Sequence, residues 1–506
     1  MSEGNSYKQI LRSSSIIGGA SVINILIGLV RTKVAALVLG PAGIGLIGLL
    51  SNLMATAATV AAVGSGVVGT RQIAAANASS DTRSLRISRR ALFWGTLVLA
   101  IVGSFLFWGL RKILAMHVLG DASLSGTVGW LSLGVCLSVA AGSQSALLNG
   151  MRQIGDLARA SVFSALLATV VGVPVLLRWR DEGLLAYLLL TPISTFLVGY
   201  WYTSRLPRLS HAPLVWSELR REWASLARLG MPVMLAGLIA LVGQLLIRTN
   251  VQHSLGLDAL GHFEAAWVIS MTYAGFVLRA MGTDFYPRLT AVIHDSEAAN
   301  RLVNEQSEAA LMLAGPVLLA MLGLVPWVVP LLYSNEFADT ANILRWQILG
   351  DVFKVACFPL GYIILAAGEG RNFLLSDTVS MGAFVLGVVV GIPTFGLPAT
   401  GAAFLLMYVV NLSIVFWLAH RRSGFRWDPI VWKLFFGLLI AAISISIVGA
   451  ALPLIGAIIG VSLSGVFATI AIVRFSHKTT TPDSTGIWKL MHRITGRLPL
   501  NGTSKK

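Results

Sequence analysis

Apolar runs of about 20 or more residues follow one another along most of the chain, and they restrict the fold more than any other feature. A helix of that length crosses the hydrocarbon core of a bilayer. Backbone groups in hydrocarbon must be hydrogen-bonded within the structure, so only helices and closed barrels span membranes. Barrel strands are alternating segments of about 10 residues, unlike the runs seen here. The sequence therefore predicts an all-α polytopic membrane protein.

The composition of the 506 residues agrees with this fold class, since 56% are hydrophobic and only 12% are charged. Soluble domains are much more polar. Windows of about 20 residues predict about fourteen transmembrane helices. These spans are expected near 14–38, 43–68, 90–110, 126–149, 157–177, 184–204, 229–250, 262–286, 309–333, 341–367, 373–394, 398–419, 430–452 and 454–474.

Basic residues are distributed unevenly between the loops. Lys and Arg number 38 against 22 Asp and Glu, a formal net charge of +16. Most of the basic residues fall in one set of loops with both termini, whereas the opposite loops hold only Arg111, Lys112, Arg178 and Arg180. By the positive-inside rule, this predicts an inner-membrane protein with both termini in the cytoplasm. It also argues against nucleic acid as a partner, which would require a contiguous solvated basic face.

Motifs for enzymatic chemistry are missing from the sequence. It contains no phosphate-binding glycine loop ending in Lys-Ser or Lys-Thr, no His/Glu zinc pattern and no Gly-x-Ser-x-Gly elbow. Cys136 and Cys357 lie inside apolar runs and suit neither a disulfide framework nor a metal site. We expect a transport protein rather than an enzyme, without a cofactor or resident metal. Coupling to protons or sodium ions stays open.

A polar break after the sixth span divides the chain. Within it, Trp216, Leu219, Trp223 and Leu226 recur at helical spacing, which predicts a helix on the cytoplasmic interface that is either a plain linker or a gate. The predicted units are an N-terminal lobe of six spans at 1–205, the linker helix at 206–228, a C-terminal lobe of six spans at 229–420, an extra helix pair at 421–475 and a basic cytoplasmic tail at 476–506.

The two lobes carry a weak sequence echo. Residues 44–47 read IGLI after the first span, and residues 260–263 read LGHF after the seventh. Paired six-helix halves are a common transporter plan, with the binding site where the halves meet. Chance similarity between apolar segments is the alternative.

Nine charged side chains are expected inside spans, six basic and three acidic. Each costs about 2.5–3.5 kcal/mol at a helix centre on insertion scales, so it needs a partner or a hydrated cavity. A net positive interior suits an anionic headgroup, because Arg and Lys bind phosphate oxygens strongly where the dielectric is low. The basic residues are Arg31, Lys33, Arg248, Arg279, Arg345 and Lys354, and the acidic ones are Glu264, Asp284 and Asp351.

Span 10 places Gln347, Asp351 and Lys354 on one helix face, which is therefore predicted to point inward. Asp351 and Lys354 either neutralise each other as an ion pair or form part of a switchable substrate or proton path. Arg31 and Lys33 point about 200° apart on a regular helix, so both cannot face one cavity without bending.

Lys33 and Arg248 also lie near span ends, where each could extend to the interface instead of a cavity. From these charges we predict two sets of site residues. A cationic substrate cavity is predicted to involve Arg31, Lys33, Arg248, Arg279 and Lys354, and transport or coupling roles are predicted for Gln347, Asp351, Asp284 and Arg345.

Three stretches resemble one transporter family: residues 345–377, residues 38–48 (VLGPAGIGLIG) and residues 282–289 (GTDFYPRL). They are similar to the Wzx-type O-antigen and enterobacterial-common-antigen flippases of the multidrug/oligosaccharidyl-lipid/polysaccharide (MOP) exporter superfamily. The likeness covers about residues 10–420. Its most specific part, WQ-x-x-GD-x-x-K, covers Trp346, Gln347, Gly350, Asp351 and Lys354, and Lys33 matches a basic residue of the first span.

The resemblance implies two six-helix lobes around a central cavity with alternating access. The implied substrate is an undecaprenyl-diphosphate-linked oligosaccharide, moved to the outer leaflet for O-antigen or similar lipopolysaccharide synthesis. Membrane lipids, a polysaccharide polymerase and a chain-length regulator are the other expected partners. Two alternatives stay open. A cation-coupled multidrug exporter of the same superfamily would favour an acidic cavity, and a membrane-embedded glycan-transferring or polymerising enzyme would usually need a large polar loop.

Overall fold

The computed structural model describes the backbone of residues 3–79, 81–207 and 216–478. Its described side chains lie within residues 16–475, with gaps at 80, 208–215, 276–277, 279–280 and 283–284. The side chains of Arg279 and Asp284, and the predicted basic tail from residue 479 onward, therefore lie outside the described residues.

Thirteen α-helices make up nearly all of the described backbone, which contains no strand, so the all-α prediction is confirmed. Short 3-10 helices at Ala122–Leu124, Arg180–Gly183 and Asn335–Phe337 form turns between them. The helices are α1 (Glu3–Ala62), α2 (Ser65–Ala78), α3 (Thr82–Val118), α4 (Ser125–Gly150), α5 (Ile154–Trp179), α6 (Leu184–Ser204), α7 (Trp216–Val292), α8 (Ser296–Leu332), α9 (Thr340–Ala366), α10 (Gly370–Phe395), α11 (Pro398–Ser423), α12 (Pro429–Ala451) and α13 (Pro453–Lys478).

Eleven helical stretches of the described residues are long and apolar enough to cross a membrane. Three of them, Ile16–Ala62, Ile154–Ser204 and Trp216–Gly275, each overlap two of the predicted spans, of which 14–38, 43–68 and 262–286 extend beyond the stretch. The eleven stretches therefore account for the predicted spans, and the chain is a multi-pass membrane protein.

Glycine breaks both α1 and α7 between two spans. Gly40 has φ 63° and Gly256 has φ 90°, left-handed conformations that only glycine adopts without strain. Each helix changes direction at its glycine, and the next span follows at once. The sequence predicted separate spans joined by loops here, but a single residue makes each turn.

The end of the second span also differs from the prediction. α1 ends at Ala62 rather than near residue 68, because Val63 (φ 46°) and Gly64 (φ 70°) leave the helical conformation. The chain then forms the short helix α2, which the hydrophobicity pattern did not predict because its polar and apolar residues are mixed.

The predicted linker helix is the start of α7, which runs without interruption from Trp216 to the break at Gly256. Its apolar stripe packs on α3: Leu219 and Leu226 are buried, and the indole nitrogen of Trp223 donates a 2.9 Å hydrogen bond to the carbonyl of Ala91. The structure therefore corrects the expectation of a separate helix. The position of this segment at the cytoplasmic interface stays a prediction.

The last two helices pack on the C-terminal half through α8. A Cβ atom on Gly460 of α13 would stand 2.8 Å from the Cα of Gly323, so small residues permit a close crossing. Ser464 Oγ donates to the carbonyl of Pro316 at 2.8 Å. Arg474 Nε lies 2.6 Å from Glu308 Oε1. These contacts fix the extra pair to the bundle.

Candidate functional site

A polar cavity of about 390 Å³ lies inside the N-terminal half, between α1, α4, α5 and α6. Much of its lining carries groups that hydrogen-bond, in contrast to the apolar residues that dominate the chain. Such a lining can receive the polar part of a ligand that hydrocarbon excludes. The polar lining residues are Asn24, Arg31, Ser145, Ser161, Ser164, Thr169, Thr191 and Thr195.

Arg31 supplies the positive charge of this cavity. Its Nη2 donates to the carbonyl of Tyr187 at 3.1 Å, and its guanidinium lies 4.3 Å from the centroid of the Tyr187 ring. Its Nε is buried and has no hydrogen-bond partner in the described part of the chain. No carboxylate of the described side chains forms an ion pair with it. The charge is thus stabilised by a carbonyl and an aromatic face but is not neutralised, which suits an anionic ligand.

Hydroxyl groups complete the lining. Ser164 and Thr169 each donate to a backbone carbonyl one turn earlier in α5, at 2.6 and 2.8 Å, and Thr195 does the same in α6 at 2.8 Å. Because the proton of each hydroxyl is used within the helix, its oxygen remains available as an acceptor. Asn24 donates to Ser161 Oγ at 2.8 Å and joins α1 to α5. The cavity can accept hydrogen bonds from a polyhydroxylated ligand.

Lys33 points away from Arg31, as the helical geometry predicted. Its Nζ donates to the carbonyl of Pro330 in α8 at 2.9 Å, so it joins the two halves. Lys33 does not line the polar cavity of the N-terminal half and is held by a backbone carbonyl of the other half, and its predicted part in substrate binding stays a prediction.

Arg248 is neutralised within the protein. It and Glu264 are both buried, and they form a two-pronged ion pair, with Nε against Oε1 and Nη2 3.2 Å from Oε2. The Oε1 of Gln244 accepts from its Nη1 at 3.2 Å. A satisfied pair of this kind favours a structural role over a free cation. Its predicted part in substrate binding stays a prediction.

Asp351 is fully buried and is the centre of a second polar cluster. Ser270 Oγ donates to Asp351 Oδ2 at 2.8 Å, and the hydroxyl of Tyr273 donates to the same oxygen. Lys354 Nζ lies 3.7 Å from Oδ1 and 3.3 Å from Met271 Sδ. The ion-pair interpretation of Asp351 and Lys354 therefore has a geometric basis, although the distance is long for a hydrogen bond.

Gln347 lies on the same helix face as Asp351 and is also fully buried. Neither atom of its amide has a hydrogen-bond partner among the described residues, and Asp351 Oδ1 has no hydrogen bond either. The prediction that this face of α9 points into the protein is thus confirmed by the burial of Gln347 and Asp351. Unpartnered buried polar atoms are costly, and they often mark a functional site.

Arg345 is separate from this cluster. Its Nη2 donates to the carbonyl of Gly449 in α12 at 2.8 Å, and its side chain lines a groove between α9, α11 and α12. The residues predicted for coupling therefore fall on two sides of α9, with Gln347 and Asp351 on one side and Arg345 on the other.

Several residues of these sites escaped the sequence analysis. Ser270 and Tyr273 bind Asp351 from α7, 81 and 78 residues away, and no local pattern marks them. The cavity hydroxyls were missed because single Ser and Thr residues are common in apolar helices. Three of them recur at 161, 164 and 169 in α5, whereas Asn24 and Arg31 lie in α1, so this weak signal becomes readable only once the fold is known.

Comparison with known proteins identifies a matching protein family and similar sequences. The family model described as polysaccharide biosynthesis protein matches residues 34–342. The lipid III flippase of Escherichia coli K12 is 23% identical over 429 residues, which cover 82% of this chain and 100% of the relative. The lipid III flippase of Shigella flexneri gives the same values, 23% over 429 residues.

Solved structures share the architecture at low identity. The lipid II flippase MurJ in an inward closed conformation superposes with a TM-score of 0.73 at 11% identity, covering 91% of this chain and 99% of MurJ. An inward-facing multidrug resistance MATE transporter of the MOP superfamily gives 0.68 at 16% identity, covering 81% of this chain and 98% of the transporter. The fold predicted from the sequence resemblance is confirmed.

Proposed function

The chain belongs to the family of polysaccharide biosynthesis proteins, and on that premise we propose that it is a flippase for lipid-linked oligosaccharides. The cargo is an undecaprenyl-diphosphate-linked oligosaccharide repeat, which moves from the cytoplasmic to the periplasmic leaflet for surface polysaccharide synthesis. The curated relatives named above are lipid III flippases. The protein is a transporter rather than a glycan-transferring enzyme.

Moving an oligosaccharide across the membrane requires a polar route through an otherwise apolar protein. An oligosaccharide carries many hydroxyl groups, and each costs about 4–8 kcal/mol to bring unpaired into a hydrocarbon-like medium. A cavity with hydrogen-bonding walls removes most of that cost. The lipid tail is apolar, so it does not need a polar cavity and stays in the bilayer.

The Arg31 cavity is the observation that supports this function most directly. It combines a guanidinium that has no ion-pair partner among the described side chains with six hydroxyl side chains in about 390 Å³. A guanidinium binds phosphate or carboxylate, and hydroxyl oxygens accept hydrogen bonds from sugars. The same lining argues against the multidrug alternative, because a cationic drug would be repelled by Arg31.

Contacts between the halves suggest how access alternates. Lys33 binds the carbonyl of Pro330, and Gln252 Nε2 donates to the carbonyl of Leu119 at 2.5 Å. Both contacts lie at the end of the bundle that we assign to the periplasm from the distribution of basic residues. They must break before a cargo leaves on that side, while both termini stay in the cytoplasm.

The membrane potential supplies part of the energy in this proposal. An anion that leaves a negative cytoplasm gains about 2.3 kcal/mol per charge per 100 mV. The Asp351 cluster is our candidate for coupling to protons or sodium ions. A polymerase and a chain-length regulator would use the translocated product.

Reconstitution tests the proposal. Purified protein in proteoliposomes receives a fluorescent polyprenyl-diphosphate oligosaccharide, and the measured quantity is the rate at which label crosses to the opposite leaflet. We expect Arg31→Gln to slow the rate about tenfold or more, since it removes the cavity charge. Arg111→Gln is the matched control, because Arg111 also binds a backbone carbonyl and an aromatic ring but lies outside the cavity.

Two results would count against the proposal. Wild-type rates with Arg31→Gln would remove the cavity from the transport path. A wild-type rate that does not respond to a potassium-diffusion potential would exclude the potential as an energy source.

A further inference from the structure

An apolar groove of about 660 Å³ lies in the C-terminal half, between α9, α11 and α12. Its lining residues span 342–353 of α9, 398–409 of α11 and 439–450 of α12. At 1.5 Å per residue, each segment is about 16 Å long, close to the hydrocarbon thickness of one leaflet. Trp346 and Ile443 are each 41% exposed, so the groove opens toward the bilayer.

Arg345 gives the groove one charged end. Its Nη2 donates to the carbonyl of Gly449 at 2.8 Å, and its Nη1 lies 3.4 Å from Asn342 Oδ1. Among the described side chains, its buried Nε has no hydrogen-bond partner and no carboxylate forms an ion pair with it. A cation at the head of an apolar groove is costly unless an anion accompanies it.

We propose that this groove binds one anionic phospholipid, with the headgroup phosphate on Arg345 and an acyl chain along the helices. A single guanidinium matches a single phosphate, and the groove has the length of one leaflet. Asn342, Pro398 and Ala450 mark the charged end, which lies at the start of α9 and α11 and the end of α12. By the distribution of basic residues, this end faces the periplasmic leaflet.

The site is distinct from the cargo cavity, which lies in the other half of the molecule. A lipid held there would join α12 to α9, the helix that carries Asp351 and Lys354. It would therefore stabilise the extra helix pair against the transporting core, whatever cargo the protein carries.

Native mass spectrometry of the purified full-length protein tests the site. The probes are dioleoyl phosphatidylglycerol and dioleoyl phosphatidylcholine, titrated separately. We expect wild type to bind one phosphatidylglycerol in preference to phosphatidylcholine and Arg345→Gln to weaken that binding about tenfold. Ser446→Trp, which fills the groove and keeps the charge, is expected to weaken both lipids. Arg111→Gln should bind like wild type.

Three results would overturn the proposal: equal binding of the two lipids by wild type, unchanged phosphatidylglycerol binding in both groove variants, or displacement of the phosphatidylglycerol by an undecaprenyl phosphate. The third would assign the groove to the carrier lipid instead. Elution volume and Tm establish that each variant folds, and if Arg345→Gln does not, Ser446→Trp decides the question.

Discussion

Gly45 of α1 and Gly261 of α7 lie against each other where the two halves cross. A Cβ atom on Gly45 would stand 2.8 Å from the amide nitrogen of Gly261. Each of these glycines follows the break in its own helix, at Gly40 or Gly256, by the same number of residues. The sequence echo at the two sites thus corresponds to a matched pair of helix breaks and a shared crossing.

A methyl group at this crossing is expected to destabilise the protein. In Gly261→Ala the new Cβ would collide with the backbone carbonyl oxygen of Pro41, which cannot move as a side chain does. We expect a loss of about 1–3 kcal/mol and a lower Tm in detergent, since overpacking forces backbone shifts. The control is Gly275→Ala in the same helix, where no described atom lies within 4 Å of the added Cβ. Equal Tm values for the two variants would mean that the crossing tolerates separation.

The membrane spans could be predicted from the sequence because each of them must be a run of apolar residues long enough to cross the hydrocarbon core. The pairing of Arg248 with Glu264 was not readable in the same way. The two residues are 16 positions apart, too far for neighbours on one helix. They meet because α7 changes direction at Gly256, and that turn depends on a single glycine whose φ the apolar pattern does not reveal.

Glu264→Gln is expected to destabilise the protein by about 3 kcal/mol or more, because it leaves the buried Arg248 without a counter-charge. Thermal unfolding in detergent measures the loss. The double variant Arg248→Gln/Glu264→Gln should recover part of it, since no isolated charge remains. For comparison, Glu297→Gln removes the partner of the exposed Arg301, 3.1 Å away, and should cost less than about 0.5 kcal/mol. A double variant no more stable than Glu264→Gln would argue that the charges act independently.

The cavity hydroxyls make a prediction about cargo affinity. Thr195 lines the cavity, and Thr195→Val keeps the shape of its side chain but removes the hydroxyl oxygen. One lost hydrogen bond weakens binding about 2- to 10-fold. The measurement is the cargo concentration that gives half-maximal flipping in proteoliposomes. Thr378→Val is the control, because its exposed hydroxyl makes the same bond to a carbonyl one turn earlier, at 2.7 Å, outside the cavity. An equal shift in both variants would indicate a general effect of the substitution on the helix.

The site was only partly predictable, and the Asp351 cluster shows where the limit lies. Lys354 is three positions from Asp351 on the same helix, so helical geometry alone brings them together. Ser270 and Tyr273 come from another helix, and their approach depends on how α7 and α9 pack. A sequence pattern identifies residues that share one face of a single helix. A buried cluster combines residues from several helices, so its members cannot be identified in this way.

Those extra partners decide what removing Lys354 should do. In Lys354→Ala, Asp351 loses its counter-charge but keeps two hydrogen bonds from the neutral hydroxyl groups of Ser270 and Tyr273, which stabilise the carboxyl group in part. We therefore expect the variant to fold and to reach normal abundance in the membrane, while surface polysaccharide is lost if the pair belongs to the transport cycle. Immunoblotting of membranes and staining of extracted polysaccharide measure the two quantities. Lys433→Ala, at an exposed position near the start of α12, should change neither. Loss of the protein together with the polysaccharide would instead assign Lys354 the purely neutralising role of an ion-pair partner.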